Sequence, residues 1–200
     1  MTSFKLTYQK GATPLDLDEA SELIPKYIST QGDLNELEQS NIANAFLWAQ
    51  RANLDHLLTA TFILTLHKKM FADVWKWAGK SRSSNKNIGV AKEQIMEELG
   101  LLLQDTKYWI EHNTFDEDEI AARFHQRLVR IHVFPNGNGR HARLTTDLLL
   151  KRLGQPAFTW GSSTSQNPLE TEGPTRKSYI AALKEADLGD YRSLLIFARS

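Results

Sequence analysis

Two hundred residues, 41% hydrophobic and 24% charged, suffice for one large domain with its own core and exclude a disordered chain. Lysine plus arginine is 24 and aspartate plus glutamate is 24, so the chain lacks the basic surplus of a protein built to hold nucleic acid. It has no cysteine, which removes disulfides, thiolate zinc sites, iron–sulfur ligation and cysteine nucleophiles together and fits a reducing compartment.

The first residues, Met1 to Tyr8, hold no apolar signal-peptide core, and the most apolar stretch, Leu57 to Leu66, is too short to span a bilayer. A cytoplasmic protein is expected, with no membrane and no direct nucleic-acid contact. Helical signals begin near Leu15, and Pro25 breaks or bends a first run over 17–28. Asp33 and Glu36, at capping-box spacing, open a second helix with a stripe of Leu34, Leu37, Ile42, Ala45 and Phe46. Asn53 or Asp55 caps a long central helix through Trp77, ended by Gly79. On this reading Trp48, Trp75, Trp77 and Trp109 sit on helices, facing the core. Residues 80–92 are polar and basic, with Ile88 and Val90 alternating, which predicts a short β-hairpin flap. Helices follow over 93–112, from the acidic cap Asp116 to Ile131, and over 138–153 with Gly154 beyond. Residues 155–174 read as loop and 176–198 as one or two closing helices around Gly189. The fold class is all-α, a helical bundle with one short β-hairpin flap.

The segment Ile131-His-Val-Phe-Pro-Asn-Gly-Asn-Gly-Arg-His-Ala-Arg143 concentrates the chemistry. Pro135 ends a helix, and Gly137 and Gly139 permit positive φ and close approach to a ligand. The next helix points its free N–H groups and positive dipole end into this loop, which makes an anion site. Arg140 and Arg143, three residues apart, reach the same side. Two arginines at a helix N-terminus oppose the dipole, and a bound polyphosphate reverses that cost. His132, just ahead of the loop, suits a general base acting on a hydroxyl. Alone, each part has a bland reading: a Gly-x-Gly is usually a turn and a lone histidine usually structural.

Together they resemble the signature of the Fic (filamentation induced by cAMP) family, His-x-Phe-x-(Asp/Glu)-Gly-Asn-Gly-Arg-x-x-Arg. His132, Phe134, Gly137, Asn138, Gly139, Arg140 and Arg143 stand in register with it. Trp77-Ala-Gly79 followed by Arg82 is similar to the start of the family's flap, and Arg176-x-x-Tyr179 with Gly189-Asp190 to its closing helices. The likeness covers about residues 55–198, leaving 1–54 as an N-terminal helical extension, read as regulatory, before a core over 55–200. Wording and length are similar to a subgroup called mobile mystery protein B.

The resemblance implies a protein adenylyltransferase that uses ATP and Mg2+ to move AMP onto a Ser, Thr or Tyr hydroxyl of a target protein. By position, His132 is the base and Gly137, Asn138 and Gly139 form the anion hole. Arg140, also among the catalytic residues with Asn138, holds the phosphates nearer the leaving bond, and Arg143 orients the γ-phosphate. Arg82, Asn87, Ile88 and Gly89 belong to the flap that clamps the target by main-chain pairing. Lys80, Arg82, Lys86 and Lys92 make that flap basic, either to attract an acidic target or to blunt strand edges.

One departure stands out. Asn136 replaces the metal-binding acid of the pattern, so it is a weak, uncharged ligand for magnesium. The enzyme works with weakly held metal, transfers another phosphate-containing group, or is an inactive nucleotide-binding regulator; the sequence leaves all three open. Asp147 lies too far along the helix to substitute. The family's inhibitory motif, (Ser/Thr)-x-x-x-Glu-(Gly/Asn), matches no glutamate here. A divergent version around Thr30 to Asn41, with Glu36 or Glu38 as the acid, competes with plain capping and a solvated face. A separate antitoxin-like inhibitor protein is the alternative. No metal-hydrolase or P-loop motif occurs.

Overall fold

The computed structural model describes residues 14–162, 169 and 173–200. Helices run in the order α1 (Leu17–Ser21), α2 (Gln31–Ala49), α3 (Leu54–Leu57), α4 (Ala60–Phe71), α5 (Ile95–Glu111), α6 (Glu117–Ile131), α7 (Asn138–Arg152), α8 (Pro174–Asp187) and α9 (Arg192–Arg199), with a 3-10 turn at Lys92–Gln94. The central element is α4. Its Phe62, Ile63, Leu66, Met70 and Phe71 are all fully buried, under α2 on one side and α5 and α7 on others. Each such side chain contributes about 1.5–3 kcal/mol by burial. A smaller apolar cluster joins α8 and α9 to the outer face of α6 through Tyr179, Leu194, Phe197 and Trp160. No described helix is long and apolar enough to cross a membrane.

The central helix expected from 53 to 77 is cut at both ends. Leu58 leaves helical geometry, and Thr59 restarts the chain as an N-cap whose hydroxyl accepts Phe62 N–H at 3.1 Å. Beyond Phe71 the chain turns and then lies antiparallel to residues 22–24. Leu23 bridges Trp75, and Ile24 N–H donates to Val74 O at 2.8 Å. Trp75 and Trp77 are therefore not helical. They are two apart on one face, and their rings stack at 5.1 Å. The second helix starts earlier than expected, because its capping box is Thr30 with Asp33, not Asp33 with Glu36.

The β-hairpin expected over 80–92 is absent. Residues 80–91 are bends and irregular chain, and none of residues 83–90 pairs main chain to main chain with another of them. A side chain does what a ladder would do. Arg82, 2% exposed, donates from Nη1 to Ser84 O at 2.8 Å, from Nη2 to Val90 O, and from Nε to His132 O at 2.7 Å. The guanidinium fork closes the neck of the loop by taking a carbonyl at each of its ends.

Candidate active site

The helix α6 ends before Pro135. It stops at Ile131 because His132 turns left-handed, at φ 55° and ψ 60°. A non-glycine residue holds that conformation only when its surroundings impose it. Arg82 supplies the restraint: besides gripping His132 O, its own N–H donates to Val133 O at 2.9 Å. Val133 and Phe134 then drop into the core, both fully buried.

Asn138 closes the loop that follows. Its amide oxygen accepts Phe134 N–H at 2.9 Å and its amide nitrogen donates to Phe134 O at 2.7 Å. The side chain is thus a clamp on the loop. Gly137, at φ 77°, caps α7, and a Cβ there would lie 2.7 Å from the Phe71 ring, so the position admits glycine alone. Gly139 does not share the positive φ expected for it; it is helical, and its Cβ position is only in ordinary contact with Arg143.

This loop lines a cavity of about 680 Å³ that also receives Glu38, His132, Arg140, Arg143 and Tyr179. His132 is 6% exposed, and both of its ring nitrogens are buried without a hydrogen-bond partner among the described residues. Burial first, then the charges of Arg82 and Lys86, lower its pKa to about 4. Orphaned buried nitrogens on a strained backbone are costly unless a ligand completes them.

Arg140 lies over the Phe71 ring, and its Nη1 meets Glu38 Oε2 at 2.5 Å. Glu38, from α2, is 5% exposed, and its other oxygen accepts the Trp75 indole N–H at 2.7 Å. Of the two glutamates singled out in the sequence, Glu38 reaches the site and Glu36 is exposed to solvent. The ion pair is with Arg140, the first arginine of the segment, and not with Arg143. Arg143 lies near Tyr179 of α8, where its charge opposes the rise that burial gives the phenol pKa, and near enough to His125 to help lower that histidine's pKa; the His125 ring and the Tyr179 hydroxyl are hydrogen-bonded at 2.8 Å.

The flap residues divide. Arg82 is buried at the neck, with its side chain spent on main-chain carbonyls. Asn87, Ile88 and Gly89 are exposed, and Gly89, at φ 98°, packs its backbone against the His132 side chain. The flap's basic face is partly spent: Lys86, its side chain 3% exposed, pairs with Glu19 at 2.5 Å and Asp16 at 2.8 Å. Burial opposes its charge, but the two carboxylates overcome it and raise the pKa.

Asn136 lines the cavity, and its amide oxygen accepts Gly137 N–H at 2.6 Å. Asp147, partly buried, accepts the Trp160 indole N–H at 3.0 Å. The Trp75 contact with Glu38, the Asp16–Glu19–Lys86 cluster and the place of His67 were not foreseen from the sequence. The one usable signal was Trp75-x-Trp77, an alternation that fits an extended segment better than a helix.

A family model described as the Fic/DOC family matches residues 57–150. The protein adenylyltransferase fic-1 of Caenorhabditis briggsae is 34% identical over 146 residues, 68% of this chain and 26% of that protein. Its Caenorhabditis elegans counterpart is 32% identical over 168 residues, 79% of this chain and 30% of that protein. The chain thus spans between a quarter and a third of the curated relatives it matches. Among solved structures, Fic-1 of C. elegans superposes with a TM-score of 0.65 at 28% identity, covering 92% of this chain and 52% of that one. BepC of Bartonella tribocorum with bound AMPPNP superposes at 0.68, with 18% identity and coverage of 92% and 97%, a likeness of fold. The left-handed histidine, the glycine-capped loop and the two arginines fall within the matched region, and the chain belongs to the Fic/DOC family.

Proposed function

We propose that this chain is a protein adenylyltransferase that moves AMP from ATP to a Ser, Thr or Tyr hydroxyl of a target protein, and that Glu38 holds it off in the present conformation. The observation that carries the reading is His132: a neutral, partnerless imidazole facing a cavity beside the N-terminus of α7 and two arginines. In the reaction, the imidazole takes the hydroxyl proton. The hydroxyl oxygen bonds to the α-phosphorus as the bond to the pyrophosphate oxygen breaks, and pyrophosphate leaves. Loop N–H groups and Arg140 stabilise the charge on the phosphate oxygens, and Arg143 orients the γ-phosphate. A base of pKa about 4 is weak in the empty site. Phosphates among the arginines offset the cations that depress it, so base strength arrives with the nucleotide.

The flap's role in target docking rests on main-chain groups of residues 83–90 that do not pair with one another. The segment over 1–54 reads as the regulatory extension, because it supplies Glu38. A cysteine-free chain that consumes ATP is read as cytoplasmic.

The residues present do not fit a resident magnesium ion. Asn136 offers one neutral oxygen, already accepting Gly137 N–H, and no group of three His, Asp or Glu suited to a metal occurs among the described residues. Magnesium takes one or two carboxylates along with phosphate oxygens. Any Mg2+ therefore comes with the nucleotide, and no step above runs through it. The same substitution favours a second reading, a nucleotide-binding module that regulates a partner without transfer; transfer of another phosphate-containing group is the third.

Intact mass after incubation with ATP and Mg2+ separates them. A gain of one AMP that is slow in the native chain, faster in Glu38→Gln and absent in His132→Ala is the expected result. A phosphate-sized gain moves the protein to the third reading. No gain in Glu38→Gln, with ADP still bound, moves it to the second. Activation by Glu38→Gln also separates an internal inhibitor from an antitoxin-like partner, since only the internal one is removed by that change.

A further inference from the structure

His67 lies on α4, outside the signature segment, and is fully buried. Both ring nitrogens are engaged. Gly79 N–H donates to Nδ1 at 3.0 Å, so Nδ1 carries no proton. The proton is then on Nε2, which donates to Asn136 O at 3.1 Å. The ring stacks on Phe134 with centroids 3.6 Å apart and 12° between planes. Burial, then the neighbouring His141, holds the ring neutral, with a pKa well below the usual value.

The carbonyl that His67 holds belongs to the same peptide unit as Gly137 N–H. A trans peptide is planar, with its C=O and N–H pointing in opposite directions. Fixing the carbonyl on the α4 side therefore fixes the N–H on the cavity side, where the Asn136 amide oxygen meets it at 2.6 Å. A hydrogen bond to the carbonyl also polarises the unit and makes the N–H a better donor. The floor beneath it is rigid: Phe71 and His67 leave no space for a Cβ on Gly137.

We propose that His67 is a positioning residue that sets and polarises the Asn136–Gly137 peptide so that Gly137 N–H serves as an oxyanion donor, with the Asn136 amide oxygen as stand-in acceptor in the empty loop. The inference rests on the reading of residues 137–139 as a phosphate cradle. Gly79 N–H ties the same ring to the root of the flap, so the anion loop and the target-docking loop share one anchor.

The test uses the full chain with His67→Phe, which keeps a flat ring and removes both nitrogens, and His67→Gln, whose amide N–H can occupy the place of Nε2–H. Two quantities are read: the amide 15N and 1H shifts of Gly137 without ligand, and the affinity for ADP. For His67→Phe a displaced Gly137 resonance and affinity about tenfold weaker are expected, the equivalent of one hydrogen bond. For His67→Gln a Gly137 resonance near the native one and affinity within about threefold of native are expected. A His67→Phe protein with native Gly137 shifts and native affinity overturns the proposal. Equal damage in both variants also overturns it, since a filler role gives that result. If the native chain takes up no ADP, the nucleotide reading fails, and the ligand-free Gly137 shifts still decide the role of His67.

Discussion

Trp75 and Trp77 stack with ring planes 20° apart, and each donates its indole N–H to the N-terminal segment: Trp75 to the Glu38 carboxylate, Trp77 to the Glu19 carbonyl at 3.1 Å. The stacked pair connects the helix that carries the candidate inhibitor to the root of the flap. Glu38 is aimed at Arg140 by a neutral donor on its other oxygen.

Trp75→Phe keeps the stacking and removes that donor. Glu38 is then under-satisfied in a buried place, and its hold on Arg140 loosens. AMP transfer should rise about threefold to tenfold, within the range of one hydrogen bond to a charged group. Initial rates by intact mass check this. An unchanged rate shows that Arg140 alone fixes the glutamate.

Gly89→Ala should damage the site from the flap side. At φ 98° any side chain is strained, and the new Cβ would lie 2.7 Å from His132 Cβ. Such strain costs about 1–3 kcal/mol. Expected are a lower Tm and a transfer rate down at least about tenfold, with ADP affinity little changed, since Arg140 and Arg143 do not meet the new Cβ. A native rate with the lower Tm would separate flap packing from histidine placement.

Stability should depend on pH in two opposite ways. His125, His132 and His141 are buried neutral, with pKa values of about 3, 4 and 4 against an unfolded 6.5, burial being the first cause in each. The unfolded chain binds protons first as pH falls. Stability present above about 6.5 is therefore lost on the way down to about 4. Asp147 runs the other way: burial raises it to about 7 from an unfolded 3.8, so its contribution falls as pH climbs between those values. Asp147→Asn keeps an oxygen for Trp160 and removes the buried charge. It should raise Tm most at about pH 8 and less near about pH 5. Thermal melts at the two pH values decide; a uniform loss would show that the acid is needed for packing.

Asn136→Asp restores the acid of the family pattern. Transfer with Mg2+ should increase, and the Gly137 N–H keeps an acceptor. Rates measured across a magnesium titration check it. No gain at any concentration means that the ion is held without this position.

The candidate site was legible where local chemistry sufficed. Glycine at 137, arginines in the first two turns of α7 and a histidine at the end of α6 each follow from a short stretch of chain. Helices α5, α6 and α7 were legible for the same reason, with caps and periodicity in agreement. What escaped depends on distant partners. The break after Phe71 is set by residues 22–24 pairing with 74–76, which no local signal announces. The missing hairpin is set by a guanidinium that seeks carbonyls from both sides of the loop. Glu38 rather than Glu36 faces the site because α2 starts at Gln31 and sets its angular phase, and that start depends on Thr30.

Arg82 has a consequence for how this family member can change. It grips the flap at Ser84 and Val90, the two ends of the excursion, and grips His132 with the same fork. The tip between those ends contributes nothing to that grip. Asn87 and Ile88, exposed at that tip, can drift through generations while the imidazole keeps its place, whereas Gly89 against His132 and Lys86 against Asp16 and Glu19 cannot, so the outward face of the flap varies with no toll at the neck.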